Sequence, residues 1–264
     1  MCLNLNHFAN AGATHSQQLG ISLALAYETH YRLQTDSLHD FWVNFAIGSD
    51  YFGEIAKLRA FRRLWDHLCQ ELGLKPSQPT LYCETALRNK TIKDAYNNMM
   101  RTTSEAMAAV IGGADEVSIK GFNHTFAEPT PFGERIARNQ SSILQHESHL
   151  DAVKDLAQGS YFIEELTEKL AEKAWQFFVK IEAEGGFVEA MRKGWLQDWV
   201  EGAAEKEQKA FDQGEKVLIG ANQYAKEDED LKAIIKKGHF FSESKKETAV
   251  KKLIAKRLSE GVEK

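Results

Sequence analysis

Residues 80–85 read TLYCET and run on into ALRNKTIKDAYNNMMRTTSEAMAAVIGG (86–113). A short β-branched and aromatic run, a polar loop and a helical pattern closed by Gly112-Gly113 make the grammar of a βα unit. The same grammar surrounds it. Upstream, FWVNFAIG (41–48) leads into helical residues 54–72, where Ile55, Leu58, Trp65 and Leu68 lie on related faces. Downstream, ADEVSIKGF (114–122) precedes PFGERIARNQSSILQHES (131–148), whose Pro131 suits a first helical turn. At the start, residues 2–6 precede a helix expected over 12–35, with Leu19, Leu23, Ala26, Tyr27 and Tyr31 at spacings of three and four. Four strands are therefore expected, at 2–6, 41–47, 80–85 and 114–119; a fifth extended piece at 150–154 is too short of signal to add. Strands alternating with longer helices predict an α/β fold with a parallel sheet. Four strands make either a small open sheet or half of an eight-stranded barrel, and periodicity does not separate the two.

After the turn AQGS (157–160) a further helix is expected over 162–186, and residues 195–224 read as a helix followed by a short extended segment, VLIGANQY. The last forty residues differ in kind, because 19 of the 40 are charged with both signs mixed. TAVKKLIAKRL (248–258) still places Val250, Leu253, Ile254 and Leu258 on one helical face. The segment 225–264 reads as a charged tail, either a solvated linker or a docking tail, with a short amphipathic helix at 248–258 as the alternative.

Composition narrows the function classes. The chain has 264 residues, 43% hydrophobic and 27% charged, as a folded globular protein does. A net charge of −5 and a pI near 6.0 argue against a nucleic-acid binder. No apolar run approaches the ~20 residues that span a bilayer, and MCLNLNHFANAGA lacks the layout of a signal peptide. Three cysteines without CxxC spacing (Cys2, Cys69, Cys83) read as reduced thiols, so a cytoplasmic location without membrane or nucleic-acid partners is expected.

No P-loop, GxGxxG, HExxH or GxSxG is present. His146 and His149 stand at i,i+3 around Glu147, but no third metal ligand accompanies them, and an ordinary helix end accounts for the pair. Tyr82 and Glu84 alternate on a strand and so share a face. Near the C-terminal end of a barrel strand that face is where chemistry is placed; a tyrosine can donate a proton and a buried carboxyl can act as an acid. Glu116 and Ser118 share a face on the next strand, and Lys120 at its end could simply pair with a glutamate across strands. Lys57, Arg59, Arg62, Arg63, Arg135 and Arg138 could hold an anion or pair with nearby acids. Gly159-Ser160-Tyr161 is a tight turn that either cradles a ligand or connects two elements.

Several stretches together resemble the acyl-CoA-binding barrel of the adenosylcobalamin-dependent methylmalonyl-CoA mutase family: EIAKLRAFRRLW (54–65), DAYNNMMRTTSEAMAAVIGG (94–113), ERIARNQSSILQHES (134–148), GSYFIEELTEKLAEKAW (159–175), EAEGGFVEAM (182–191) and VLIGANQY (217–224). They follow the family's order and spacing over roughly residues 5–224. The resemblance implies a TIM-type (β/α)8 barrel of which this chain carries about the C-terminal half, strands five to eight, as residues 1–224, followed by a helical C-terminal extension. It also implies a separate cobalamin domain over the strand C-termini. A half-barrel has two open edges and needs a complement from another chain or from further sequence.

The departures from the family pattern bear on function. Where the family's catalytic strand reads His-x-Gln-Thr-Ser-Gly, this chain has Tyr82, Cys83, Glu84, Thr85, Ala86 and Leu87. Its next strand, Gln-Ser-Leu-His-Thr-Asn, becomes Asp115, Glu116, Val117, Ser118, Ile119 and Lys120. Tyr-His-x-Gln-Glu-Ala-Gly-Ala becomes Asn6, His7, Phe8, Ala9, Asn10, Ala11, Gly12 and Ala13, so the expected glutamine is Ala9. Asp-Pro-Trp-Gly-Gly-Ser-Tyr becomes Asp155, Leu156, Ala157, Gln158, Gly159, Ser160 and Tyr161. The resemblance is therefore to the family's non-catalytic small (beta) subunit, which pairs with a catalytic large one. No catalytic residue is expected: Tyr82, Glu84, Ser118, Lys120 and Ala9 stand at degenerate site positions, and His7, Thr85 and Ser160 remain as candidate acyl-CoA contacts. The Asp-x-His-x-x-Gly signature of the cobalt ligand is absent, so adenosylcobalamin is expected in the assembled enzyme and not on this chain alone. A divergent catalytic barrel, working with a separate cobalamin-binding domain through Tyr82 and Glu84, is the alternative.

Overall fold

A computed structural model describes residues 1–34, 37–38, 41–226, 229–235, 248 and 250–263. Four strands, β1 (Cys2–Asn4), β2 (Trp42–Ile47), β3 (Thr80–Thr85) and β4 (Glu116–Ser118), form one parallel sheet in chain order. Between them run α1 (Asn6–Asn10), α2 (His15–Leu33), α3 (Tyr51–Glu71) and α4 (Asn97–Ile111). Then follow α5 (Pro131–His146), α6 (Tyr161–Ala183), α7 (Phe187–Arg192), α8 (Trp195–Asp212), the single turn α9 (Leu231–Ile234) and a 3-10 turn at Leu258–Gly261. All four expected strands form, and the order bears out the α/β expectation.

Local chemistry sets the boundaries. Thr14 and Gln17 close a capping box on α2, Asp50 caps α3 through the Gly53 N–H, and Thr130 caps α5 with Pro131 in its first turn. Leu3, Val43, Phe45, Ile47, Leu81 and Cys83 point from the sheet into the helices and are buried there. The rings of Phe45, Phe61, Trp65 and Phe41 meet in that layer, Phe45 and Phe61 at 5.2 Å and edge to face. Outside it, α6 packs mainly on α2 and α3; Gly20 has no room for a side chain, because a Cβ there would lie 2.9 Å from the Ala174 carbonyl oxygen.

The opposite face of the sheet is polar and open. Register stacks its residues in rows: Cys2, Trp42 and Thr80; then Asn4, Asn44, Tyr82 and Glu116; then Ala46, Glu84 and Ser118. Trp42 is 44% exposed on this face. A parallel sheet with helices on one side, edges at β1 and β4 that no other strand among the described residues pairs, and a polar inner face is consistent with part of a β/α barrel.

Three local expectations are corrected. The helical pattern that sequence reads over IKDAYNNMMRTTSEAMAAVIGG (92–113) begins only at Asn97, and residues 86–92 form a buried loop held by side chains: Asn98 Oδ1 accepts the Thr91 N–H, and Asn10 Oδ1 accepts those of Leu87 and Arg88. The segment 217–224 is a turn with an isolated Ile219–Gln223 bridge rather than a strand; Gly220 has φ +81° and its N–H donates to the Gln223 carbonyl at 2.7 Å. The amphipathic helix offered as the alternative at 248–258 does not form across 251–257, which belong to no helix or strand and dock on the fold as a tail. Their backbone groups are taken by the fold: Lys256 N donates to Asn10 O, Leu258 N to Arg88 O, and the Leu253 and Lys256 carbonyls accept from His7 and Arg88. Burial alternates accordingly, with Leu253, Ala255 and Arg257 inward. Residues 236–247 of the expected tail lie outside the described residues.

Candidate functional site

In a parallel β/α sheet, ligands meet the protein at the strand C-termini. Tyr82 and Glu84 occupy that end of β3 and share the inner face, as the alternation of the strand requires. Glu84 is the centre of a closed set of contacts. Asn6 Nδ2 donates to Oε2 at 2.6 Å, Lys120 Nζ to Oε1 at 2.9 Å and the Tyr82 hydroxyl to Oε1 at 3.2 Å. The Lys120–Glu84 pair is half-buried, with side chains 28% and 20% exposed. The cross-strand lysine–glutamate pair expected from sequence is thus the arrangement found. A cleft of about 270 Å³ remains beside it, lined among others by Asn4, His7, Asn10, Glu84, Lys120 and His124.

The other sequence candidates divide. Thr85 lies on the helix face; its Oγ1 accepts the Lys120 backbone N–H at 2.9 Å and so aligns the end of β4 with β3. His7 lines the cleft, but its Nε2 donates to the Leu253 carbonyl at 2.9 Å. Ser118 shares the row of Glu84. Ala9 lines a neighbouring cleft of about 330 Å³, bounded by the ends of α1 and β2, by Arg88 and by α8. Ser160 stands at the N-terminus of α6 in the outer helical layer, away from the residues that line either cleft. The α3 arginines are committed: Arg59 to Asp155 and Glu164, Arg62 to Asp115, Arg63 to Glu164.

Sequence reading missed two buried ion pairs behind the strand ends. Lys57 is fully buried, 2.5 Å from Glu54, and donates to the Ala46 carbonyl at 2.8 Å and to Gln18. Glu54 also accepts the Gly48 N–H and faces His15 at 3.4 Å. Burial alone would raise the Glu54 pKa, but Lys57 and His15 outweigh it and hold the carboxyl at about 2. In the second pair, Lys90 Nζ meets both oxygens of Glu105 at 2.6 and 2.7 Å, with Asn89 bonded to each. Burial pulls Lys90 down and pushes Glu105 up, while each opposes the shift in the other. A signal for the first pair existed in sequence, since Glu54 and Lys57 stand at i,i+3; the second joins a loop to a helix and left none. Burial pushes the Cys83 thiol to about 12, so it has no nucleophile to offer.

The C-terminal strap crosses the loops that follow β1 and β3. Besides the contacts of Leu253, Lys256 and Leu258, Arg257 and Ser259 bond the Lys90 carbonyl, and Glu263 accepts the Ile92 N–H at 2.7 Å. Together with α8, whose Ala204 lies against Gly12, it covers part of the strand-end side. The donor chemistry here does not fit a corrin: no Asp has a His two positions on in the sequence. The imidazole of His7 is spent on the strap. Among the described residues no group of three His, Cys, Asp or Glu side chains could hold a metal ion, and His146 and His149 gain no third partner.

These features define a parallel β/α protein with its polar face at the strand C-termini, where its own side chains occupy much of the space. The family model described as methylmalonyl-CoA mutase matches residues 3–264, and the chain belongs to that family. It is 40% identical over 232 residues to the methylmalonyl-CoA mutase of Rhizobium meliloti (strain 1021), covering 84% of this chain and 33% of the relative. To the methylmalonyl-CoA mutase small subunit of Porphyromonas gingivalis it is 37% identical over 235 residues, 84% of this chain and 38% of the relative. To the large subunit of Propionibacterium freudenreichii subsp. shermanii it is 37% identical over 242 residues, 87% and 33% respectively. The chain thus spans about a third of the length of these relatives, and the family match continues through the charged C-terminal residues.

Proposed function

We propose that this chain is a non-catalytic, small-subunit-like component of an enzyme that interconverts methylmalonyl-CoA and succinyl-CoA. It carries the C-terminal half of the barrel, strands five to eight, as residues 1–224, and 225–264 form its charged tail. Its partner is a catalytic large subunit or the missing half-barrel, and the assembly works in the cytoplasm with adenosylcobalamin. The cofactor supplies radical chemistry when bound in the assembly; this chain's residues do not ligate it, and its role is to complete and brace the barrel.

The observation that carries this reading is the closed set of bonds at Glu84. Where a substrate carbonyl would need a preorganised donor, the Tyr82 hydroxyl, Asn6 amide and Lys120 ammonium are all directed at an internal carboxylate. Filling that space with an internal ion pair suits a scaffold. Co-expression with a catalytic large subunit tests it: co-purification is expected, and failure to associate with either a large subunit or a half-barrel complement overturns it. The open cleft beside Glu84 favours one other reading, a divergent catalytic barrel in which Tyr82 and Glu84 act on a different acyl-CoA. That reading requires Glu84→Gln to lower turnover in the assembled complex.

A further inference from the structure

On the far side of α2 from the sheet, a groove of about 600 Å³ runs between the start of α2, α6 and α8. Three of its walls are lysines: Lys173 and Lys180 from α6 and Lys206 from α8. Among the described residues, none of the three meets a carboxylate within ion-pair distance. The one acid in the lining, Asp198, is already paired with Lys251 at 2.7 Å.

The groove also presents an aromatic ring. Trp199 is 43% exposed and borders the groove. Phe177 meets it edge to face at 5.6 Å and Trp195 lies against it at 5.7 Å, tilted by 50°, so the indole is fixed before any ligand arrives. Gln17 Nε2 donates to the Trp199 carbonyl at 3.0 Å and ties α8 to α2 there. One turn on, a Cβ added at Gly202 would meet nothing within 4 Å, which leaves open floor beside the ring. Lys180 Nζ lies over the indole ring, 5.2 Å from its centroid, a cation–π contact that a stacking base replaces as the ammonium turns to the phosphates.

We propose that this groove binds a nucleoside di- or triphosphate, its base against Trp199 and the Gly202 backbone and its phosphates among Lys173, Lys180 and Lys206. A half-exposed, preorganised indole offers stacking without sequence of hydrogen bonds, and an ammonium triad offers point charges to a flexible polyphosphate. The volume lies within the range of ordinary ligand sites. Neither feature belongs to the strand-end site, and the inference stands independently of the mutase reading.

The test is titration of the purified full chain with ADP, followed by tryptophan fluorescence and by calorimetry, with adenosine and inorganic pyrophosphate as partial probes. Saturable ADP binding is expected, weaker for either partial probe. Lys173→Gln and Lys206→Gln should each weaken it about tenfold, or about 1.4 kcal/mol. Gly202→Leu should block the floor with an unchanged thermal unfolding curve, since the site has space for the side chain. Coenzyme A is titrated separately because it carries the same diphosphate; preference for either ligand names the source. No saturable binding by any of these probes, or binding that survives Lys206→Gln and Gly202→Leu unchanged, overturns the proposal.

Discussion

Replacing Glu84 by Gln removes the charge at the centre of the strand-end network while keeping its shape. Lys120 then loses its carboxylate partner, and the Asn6 and Tyr82 donors compete for one amide oxygen where they had two carboxylate oxygens. A hydrogen bond to a charged group contributes about 1.5–3 kcal/mol, but the Lys120 and Glu84 side chains are 28% and 20% exposed, so water recovers part of that. A net loss of about 1–2 kcal/mol at pH 7 is expected, or a fall in Tm of about 2–6 °C for a chain of this size. Lys120→Met should cost a similar amount, and the double variant should fall short of the sum by about 0.5–1.5 kcal/mol because the two side chains share one interaction. Denaturant unfolding of the four proteins measures the cycle. The sign is the informative part. A carboxylate kept for chemistry is commonly a liability to stability, so its removal stabilises or does nothing. A stabilised Glu84→Gln variant, or strict additivity with Lys120→Met, would refute the idea that the network is structural.

Lys57→Met leaves Glu54 buried without its cation and should cost about 3–5 kcal/mol by thermal or denaturant unfolding. In the wild type the depressed Glu54 pKa contributes stability that is complete above its unfolded value of about 4.5 and is lost as pH falls toward about 2; an unfolding profile that is flat from pH 5 to pH 2 contradicts this. Glu182 is the opposite case: burial, then the neighbouring Glu28 carboxylate, raise it to about 7. The folded state binds its proton more tightly, so stability falls as pH rises from about 4.5 through 7, and Glu182→Gln should stabilise by about 1 kcal/mol at pH 8, after discounting for partial exposure, with little effect near pH 4. Gly12 has φ +103°, and a Cβ there would lie 2.5 Å from that of Ala204. Gly12→Ala should therefore cost about 2–4 kcal/mol and raise amide exchange in α8, whereas unchanged exchange would show that α8 is not seated against Gly12 as described.

The strands and most helices were legible because period and punctuation agree locally: TLYCET alternates, Pro131 opens α5, and Gly112-Gly113 stop α4. Two segments misled for the same reason. TAVKKLIAKRL has a helical stripe, and a stripe reports which residues share a helix face, not whether the backbone has better partners; here Asn10, Arg88 and His7 supply them. VLIGANQY looks extended by composition, yet Gly220 turns it back on itself. At the site, the pairing of Lys120 with Glu84 followed from their places on adjacent strands. Asn6 as the third partner did not, since it comes from a one-and-a-half-turn helix 78 residues away in sequence. The Lys90–Glu105 pair was equally invisible, because neither charge in a loop–helix contact leaves a period behind.

The account is tested most directly by reconstitution. A catalytic large subunit of a methylmalonyl-CoA mutase, adenosylcobalamin and this chain are combined, and interconversion of methylmalonyl-CoA and succinyl-CoA is followed with wild type, with Tyr82→Phe/Glu84→Gln and with the chain omitted. Turnover of the complex is predicted to depend on the chain being present and to be unchanged by the double substitution, with no turnover from the chain and cofactor alone. Turnover by the chain without the large subunit, or a complex slowed tenfold or more by the Tyr82 and Glu84 changes while remaining assembled, would contradict it.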